Sequence, residues 1–164
     1  MQSNKVKLKS IDNKIYKVPV DILQKVKLIS DFVDQASEEN KIIFLREVEG
    51  KFLEKIIDYL NHYRDFEPKT IPKPFPERTD DNFLRSILND EWTFDFLQQF
   101  TLDESISLVN AADYLEIDGL LQILAAKLAH EMCNCEVEEA RQKFGIECDM
   151  TDEEIAEIDK YPLD

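Results

Sequence analysis

Apolar residues first appear in this chain with a period of two. Val6 and Leu8, then Tyr16 and Val18, alternate with lysines and other polar residues, and Asp12-Asn13 supplies a turn between the two runs. That spacing predicts a β-hairpin with one buried face, ended by Pro19. The segments VDILQKV (20–26) and LISDFVD (28–34) read as two short helices, and KIIFL (41–45) as a third, more fully apolar strand. The period then lengthens. Phe52, Ile56, Leu60 and Tyr63 recur at helical spacing, which predicts an amphipathic helix over 50–64. Strand, strand, helix, helix, strand, helix is an α+β opening.

Four prolines, Pro68, Pro72, Pro74 and Pro76, then interrupt the pattern within residues 67–78. Proline disfavours helix and sheet interiors, so the segment is expected to be a solvated, extended connector. A ligand for an SH3-type partner is the alternative. Beyond residue 80 only helices are signalled. Short aromatic-rich ones are predicted at 82–88 and 92–100, and a capping box, Thr101 with Glu104, opens another that runs to about Leu115. Asp118-Gly119 starts the next, with Leu120, Leu121, Leu124, Leu128 and Met132 on one broad apolar face. Asn134 is a candidate cap for a helix bearing Val137, Ala140 and Phe144. Gly145 is its expected left-handed stop, with Ile146 folding back. Thr151 and Glu154 form a second capping box for a last short helix, with Pro162 past its end. No internal repeat and no low-complexity segment is present.

Composition narrows what such a helical domain could do. Of 164 residues, 35 are acidic and 20 basic, a formal net charge of −15. That surface repels phosphate backbones and anionic headgroups, which argues against nucleic-acid and membrane partners and for a partner with a basic groove. No apolar run approaches the roughly 20 residues of a membrane span. The N-terminal MQSNKVKLKS lacks the apolar core of a signal peptide. Three cysteines form no disulfide framework, which suits the cytosol and nucleus.

Candidate chemistry is sparse. His130, Cys133 and Cys135 spell H-x2-C-x-C, with Cys148 farther on. Zinc needs four converging ligands, and on a helix position 135 points away from 130 and 133, so free thiols account better for the motif. A nucleophilic cysteine wants an electropositive setting, whereas acids follow Cys135. Acid pairs such as Glu38-Glu39, Asp80-Asp81 and Glu153-Glu154 are inevitable at this charge and lie in polar stretches. Phosphate loops, dinucleotide fingerprints and nucleophile elbows are lacking, and the chain holds three glycines. No catalytic residue, metal or cofactor is expected.

Read end to end, the pieces resemble the Skp1 family over nearly the whole chain. KLKSIDNKIYKVPVDI (7–22) is similar to the family's opening hairpin and first helix, and FLEKIIDYLNHYRDFEP (52–68) to the helix closing its BTB/POZ half. DEWTFDFLQQ (90–99) resembles the Trp-centred helix, AADYLEIDGLL (111–121) the family's signature turn, and EEARQKFGIECDMTDEEIAEI (138–158) its C-terminal helical extension. Elongin C, a similar protein, ends before that extension. The resemblance implies an α+β fold: a BTB/POZ domain with a C-terminal helical extension. Its parts would be an N-terminal half at 1–66, the proline-rich loop at 67–85, C-terminal helices at 86–133 and the extension at 134–164.

The resemblance also implies a non-catalytic adaptor joining F-box proteins to a cullin scaffold in an SCF-type ubiquitin ligase. The surface for F-box proteins would comprise Leu120, Leu121, Leu124 and Leu128, with Val137, Phe144 and Ile146 from the extension. A helix apolar over so wide an arc needs a cover; the competing reading makes Leu120 and Leu121 core. Asp113 and Tyr114 match positions the family uses toward the cullin, although Tyr114 is equally readable as a packed core aromatic. Asp113 stands where the family usually has Asn, which would favour a more basic cullin partner. Asp152 replaces a proline that some relatives hydroxylate, and the KYPLD ending replaces a Trp-bearing tail, leaving Tyr161 and Leu163 as substitutes. Two other roles keep the fold. One is a subunit of a non-ligase assembly around an F-box protein; the other is a self-associating BTB scaffold, with weak homodimerisation when unpartnered.

Overall fold

The structure is a computed structural model that describes residues 5–34, 42–75, 80–88, 90–158 and 160. The period-two runs form β1 (Lys5–Lys9) and β2 (Ile15–Pro19), antiparallel, with Val6 opposite Val18 and Leu8 opposite Tyr16. Their inward side chains, Val6, Leu8 and Val18, are buried, and β2 ends at Pro19 as its missing N–H requires. At the hairpin tip the Ser10 amide donates to the Lys14 carbonyl at 3.0 Å. Asn13 takes the left-handed conformation, φ 65°, that Asn tolerates better than most residues.

The tip is also an anchor. Asp12 Oδ1 accepts from the Ser10 hydroxyl at 2.6 Å and from the Gly50 amide at 2.7 Å. The Ser10 bond, with that of Gly50 and the Lys14 ammonium, holds the Asp12 carboxyl at about 2 against a smaller opposing effect of burial. Tyr16 Oη donates to the Gly50 carbonyl at 2.8 Å, so one glycine bonds the sheet in both directions. A Cβ there would come within 2.5 Å of Lys14 Cδ.

Helices α1 (Val20–Leu23) and α2 (Lys27–Asp34) follow, as the two runs predict. Strand β3 (Ile42–Phe44) pairs in parallel with β1, giving the order β2-β1-β3. KIIFL is less buried than its composition suggests. Ile42 and Phe44 are exposed because β3 is an edge strand and they fall on the outer face of the sheet. Helix α3 (Gly50–His62) buries Phe52, Leu53, Ile56, Tyr59 and Leu60, and Tyr63 caps it.

The proline-rich connector is not simply solvated. Ile71 is buried and Pro68 and Phe75 are half-buried, with Phe75 meeting Phe83 edge-on at 5.8 Å. Pro76 lies outside the described residues. Helix α4 (Asp81–Leu88) runs across the division expected at 85/86. Helix α5 (Glu91–Gln98) carries the tryptophan, and α6 (Leu102–Tyr114) begins with Thr101 Oγ1 accepting from the Glu104 amide at 3.3 Å in a complete capping box. Glu116, at φ 53°, turns the chain into α7 (Asp118–Cys133), which packs along α6. One large core joins the sheet's inner face, α3 and the helices through α7.

The extension comprises α8 (Val137–Phe144) and α9 (Asp152–Ile158), and α8 has no buried residue. The expected Asn134 cap is a correction: Asn134 ends α7, its side-chain amide donating to the His130 carbonyl at 3.0 Å. Glu136 occupies the cap position of α8. Asn134 sits two residues before that cap position, next to the preceding helix, whose free carbonyls it satisfies instead. Gly145 does stop α8, at φ 64°, and the Ile146 amide returns to the Arg141 carbonyl at 2.8 Å. Thr151 and Glu154 close the second capping box.

Candidate partner-binding surfaces

Helix α7 is apolar around much of its circumference, so packing decides which stripe is free. Leu120, Ile123 and Leu124 lie against the core, Leu120 and Leu124 at 0% exposure. This corrects the expectation for two of the four leucines: Leu120 and Leu124 are sealed inside the chain and present nothing to a partner. Leu121 is half-buried on the adjoining stripe with Ala125 and Ala129, and Leu128 is half-buried. Leu121, Ala125 and Ala129 form one wall of an apolar groove of about 300 Å³ whose other wall is Ile71, Pro72 and Phe75. The connector thus builds one wall of a surface that the sequence placed on α7 and the extension.

Beyond the groove, Met132 is exposed, Val137 is 68% and Ile146 51% exposed, and Phe144 is half-buried. Apolar side chains this exposed, on helices with little behind them, gain from a cover. A polar tie from α8 to α7 runs from Lys143 Nζ to Glu131 Oε2 at 2.6 Å. Tyr161 and Leu163 lie outside the described residues.

Lys127 was not anticipated. It falls on the core stripe, seven residues after Leu120, and is only 4% exposed. Its ammonium donates to the Leu97 carbonyl at 2.7 Å and the Phe100 carbonyl at 2.6 Å, capping the C-terminus of α5. Burial pushes its pKa down, opposed by the carboxylates of Glu131 and Glu104. The signal was in the sequence: a lysine in step with Leu120 and Leu124 belongs to the stripe that enters the core.

A second surface lies at the end of α6. Asp113 is exposed and, among the described residues, its carboxylate has no hydrogen-bond or ion-pair partner. Tyr114 is half-buried and lines a pocket of about 350 Å³ with Leu28, Ile29 and residues 42–45. Tyr114 therefore serves both as packing and as surface. Ile42 and Phe44 were missed because an apolar strand reads as buried until its edge position is known, and Leu28, on α2, because periodicity alone does not choose which side of that helix faces the pocket.

The remaining polar clusters are structural. His62 stacks on Trp92 at 3.9 Å, its Nε2 2.7 Å from Asp90 Oδ2, which also accepts from Tyr63 Oη at 3.2 Å and from Thr93. Burial pushes the Asp90 carboxyl up, but the bonds from Thr93 and His62 outweigh it and hold it below the usual range. This cluster fastens α5 to α3. His130 Nε2 lies 3.3 Å from Asp81, and the three cysteines are free. Among the described residues no group of three or more His, Cys, Asp or Glu side chains could hold a metal, and no helix is long and apolar enough to cross a membrane.

Comparison with known proteins bears on both surfaces. Residues 4–65 match the Skp1 family tetramerisation domain and residues 118–161 the Skp1 family dimerisation domain. The chain is similar to the S-phase kinase-associated protein 1 homolog of Tetrahymena thermophila, 33% identical over 156 residues, covering 95% of this chain and 90% of the relative. The chain belongs to the Skp1 family. SKP1-like protein 17 of Arabidopsis thaliana is 30% identical over 161 residues, 98% of this chain and 95% of that one. A Dictyostelium discoideum relative, SCF ubiquitin ligase complex protein SKP1a, is 31% identical over 156 residues, 94% of this chain and 91% of its own. The α+β architecture is accordingly the family's BTB/POZ fold with its helical extension. The first match covers the sheet through α3, the second α7 through α9, so each surface draws on one of them.

Proposed function

We propose that this Skp1-family chain is a non-catalytic adaptor. It holds an F-box protein on the α7 groove and the extension, and a cullin at the end of α6 and the edge of β3. One observation carries the reading: two apolar surfaces with no lining residue in common, Leu121 with Phe75 and Tyr114 with Phe44, stand open on one domain. Two disjoint surfaces suit a protein that acts by proximity, bringing one partner to another without touching a reacting bond. The Dictyostelium relative's name, which places it in an SCF ubiquitin ligase complex, supports the same role.

Titrating the purified chain with an F-box domain and, separately, with a cullin N-terminal domain tests the assignment. Leu121→Arg with Val137→Arg is expected to weaken the first by about 30-fold or more and leave the second within twofold. Phe44→Arg is expected to do the reverse. If either variant affects both partners equally, the surfaces are misassigned. The exposed Asp113, in place of the family's usual Asn, keeps a second reading open in which the F-box partner belongs to a non-ligase assembly. F-box binding with no measurable cullin binding would favour it.

A further inference from the structure

The outer face of the sheet takes no part in the α7 groove and meets the other surface only at its edge strand. The strand register sets Lys17, Lys7 and Ile42 in one row across β2, β1 and β3, and Ile15, Lys9 and Phe44 in the next. All six point away from the core, because Val6, Leu8 and Val18 occupy the alternate, inward positions. Ile15 is 53%, Ile42 49% and Phe44 47% exposed. Within a chain of net charge −15 this patch is locally basic. Among the described residues Lys9 and Lys17 have no ion-pair partner, and the Lys9 ammonium sits over the Phe44 ring, 5.6 Å from its centroid.

A face turned only to water needs polar residues; three large apolar side chains among the lysines exceed that need. Neighbouring strands lie about 5 Å apart and successive outward residues about 7 Å apart, so the two rows match the footprint of one extended segment. We propose that this face is a docking surface for an extended, acidic segment of a partner protein in which every second residue faces the sheet and those facing residues are acidic and apolar by turns. Its carboxylates would lie on the lysines and its apolar side chains against Ile15, Ile42 and Phe44. A nucleic acid would leave those three uncovered. A second copy docking the same face would set lysine against lysine and is disfavoured by like charge. The assignment rests on register and exposure, and it shares Ile42 and Phe44 with the surface proposed for the cullin.

The test uses the full chain, 15N-labelled, titrated with three synthetic probes: a decapeptide repeating Glu-Ser-Val-Ser, whose facing residues alternate between glutamate and valine, a glutamate-only peptide of equal charge, and a single-stranded DNA of equal charge. The alternating peptide should give saturable amide shifts concentrated in β1 and β2. Lys9→Glu with Lys17→Glu should weaken it by about tenfold, and Ile15→Ser by about threefold, with unfolding midpoints near that of the parent chain. Ile42 and Phe44 stay unchanged, so cullin binding remains a separate readout. Absent or non-saturating shifts, shifts centred on α7 or the extension, or equal binding of the glutamate-only peptide or the DNA would overturn the proposal. Titration of the unsubstituted chain decides between these outcomes even if a variant fails to fold.

Discussion

Two leucines three residues apart on α7 should behave as different kinds of residue. Leu124 has no exposed surface and is packed into the main core, whereas Leu121 faces the groove toward Ile71 and Phe75. Truncating a fully buried leucine to alanine removes its transfer energy and leaves a partly uncollapsed cavity, about 2–5 kcal/mol together. With a urea dependence of about 2 kcal/mol per molar, Leu124→Ala should lower the urea midpoint by about 1–2.5 M. Leu121 keeps part of its surface exposed, and in Leu121→Arg the long stem still covers the groove floor, so its cost should stay below about 1 kcal/mol. Binding should show the opposite ranking: Leu121→Arg should weaken F-box binding by about fivefold or more, while residual folded Leu124→Ala should bind normally. Equilibrium urea unfolding followed by tryptophan fluorescence reads the first quantity, since Trp92 stacks on Phe96 within the same core. A Leu124→Ala midpoint within about 0.5 M of the parent, or equal destabilisation by both changes, would refute the assignment of stripes.

Three further outcomes follow from the same structure. Lys127→Ala should cost about 2–4 kcal/mol, because it strips the Leu97 and Phe100 carbonyls of their donor and removes the packed stem; Lys127→Met should cost less, keeping the stem and removing a buried charge, and thermal unfolding compares them. Asp12, held at about 2 against an ordinary value near 4, contributes stability that is full above about pH 4 and lost as pH falls toward about 2. The stability gap between the parent chain and Asp12→Asn should therefore close across that window, and a gap independent of pH would contradict it. Thr101→Ala removes the side-chain half of a complete capping box and should cost about 1 kcal/mol in the same unfolding assay.

Local pattern and tertiary placement were unequally legible in the sequence. The hairpin, the capping boxes at Thr101 and Thr151 and the Gly145 stop depend on contacts within a few residues, and each forms where the pattern puts it. The exposure of Ile42 and Phe44 depends on β3 being an edge strand, a fact about neighbours far away in the chain. The fate of Leu120, Leu121 and Leu124 turns on which side of an all-round apolar helix meets α6, and periodicity does not choose between sides. Lys127 was the available clue, since a charge caught on one stripe has to find partners there. Ile71 and Phe75, the far wall of the groove, sit in a segment whose prolines announce a connector and hide its docking.

The adaptor account stands or falls on simultaneous occupancy of two surfaces. Native mass spectrometry of the purified chain mixed with an F-box domain and a cullin N-terminal domain measures it directly. The account predicts a 1:1:1 heterotrimer, with the affinity for each partner changing less than about twofold when the other is bound. Binary complexes alone, with one partner displacing the other, would contradict it.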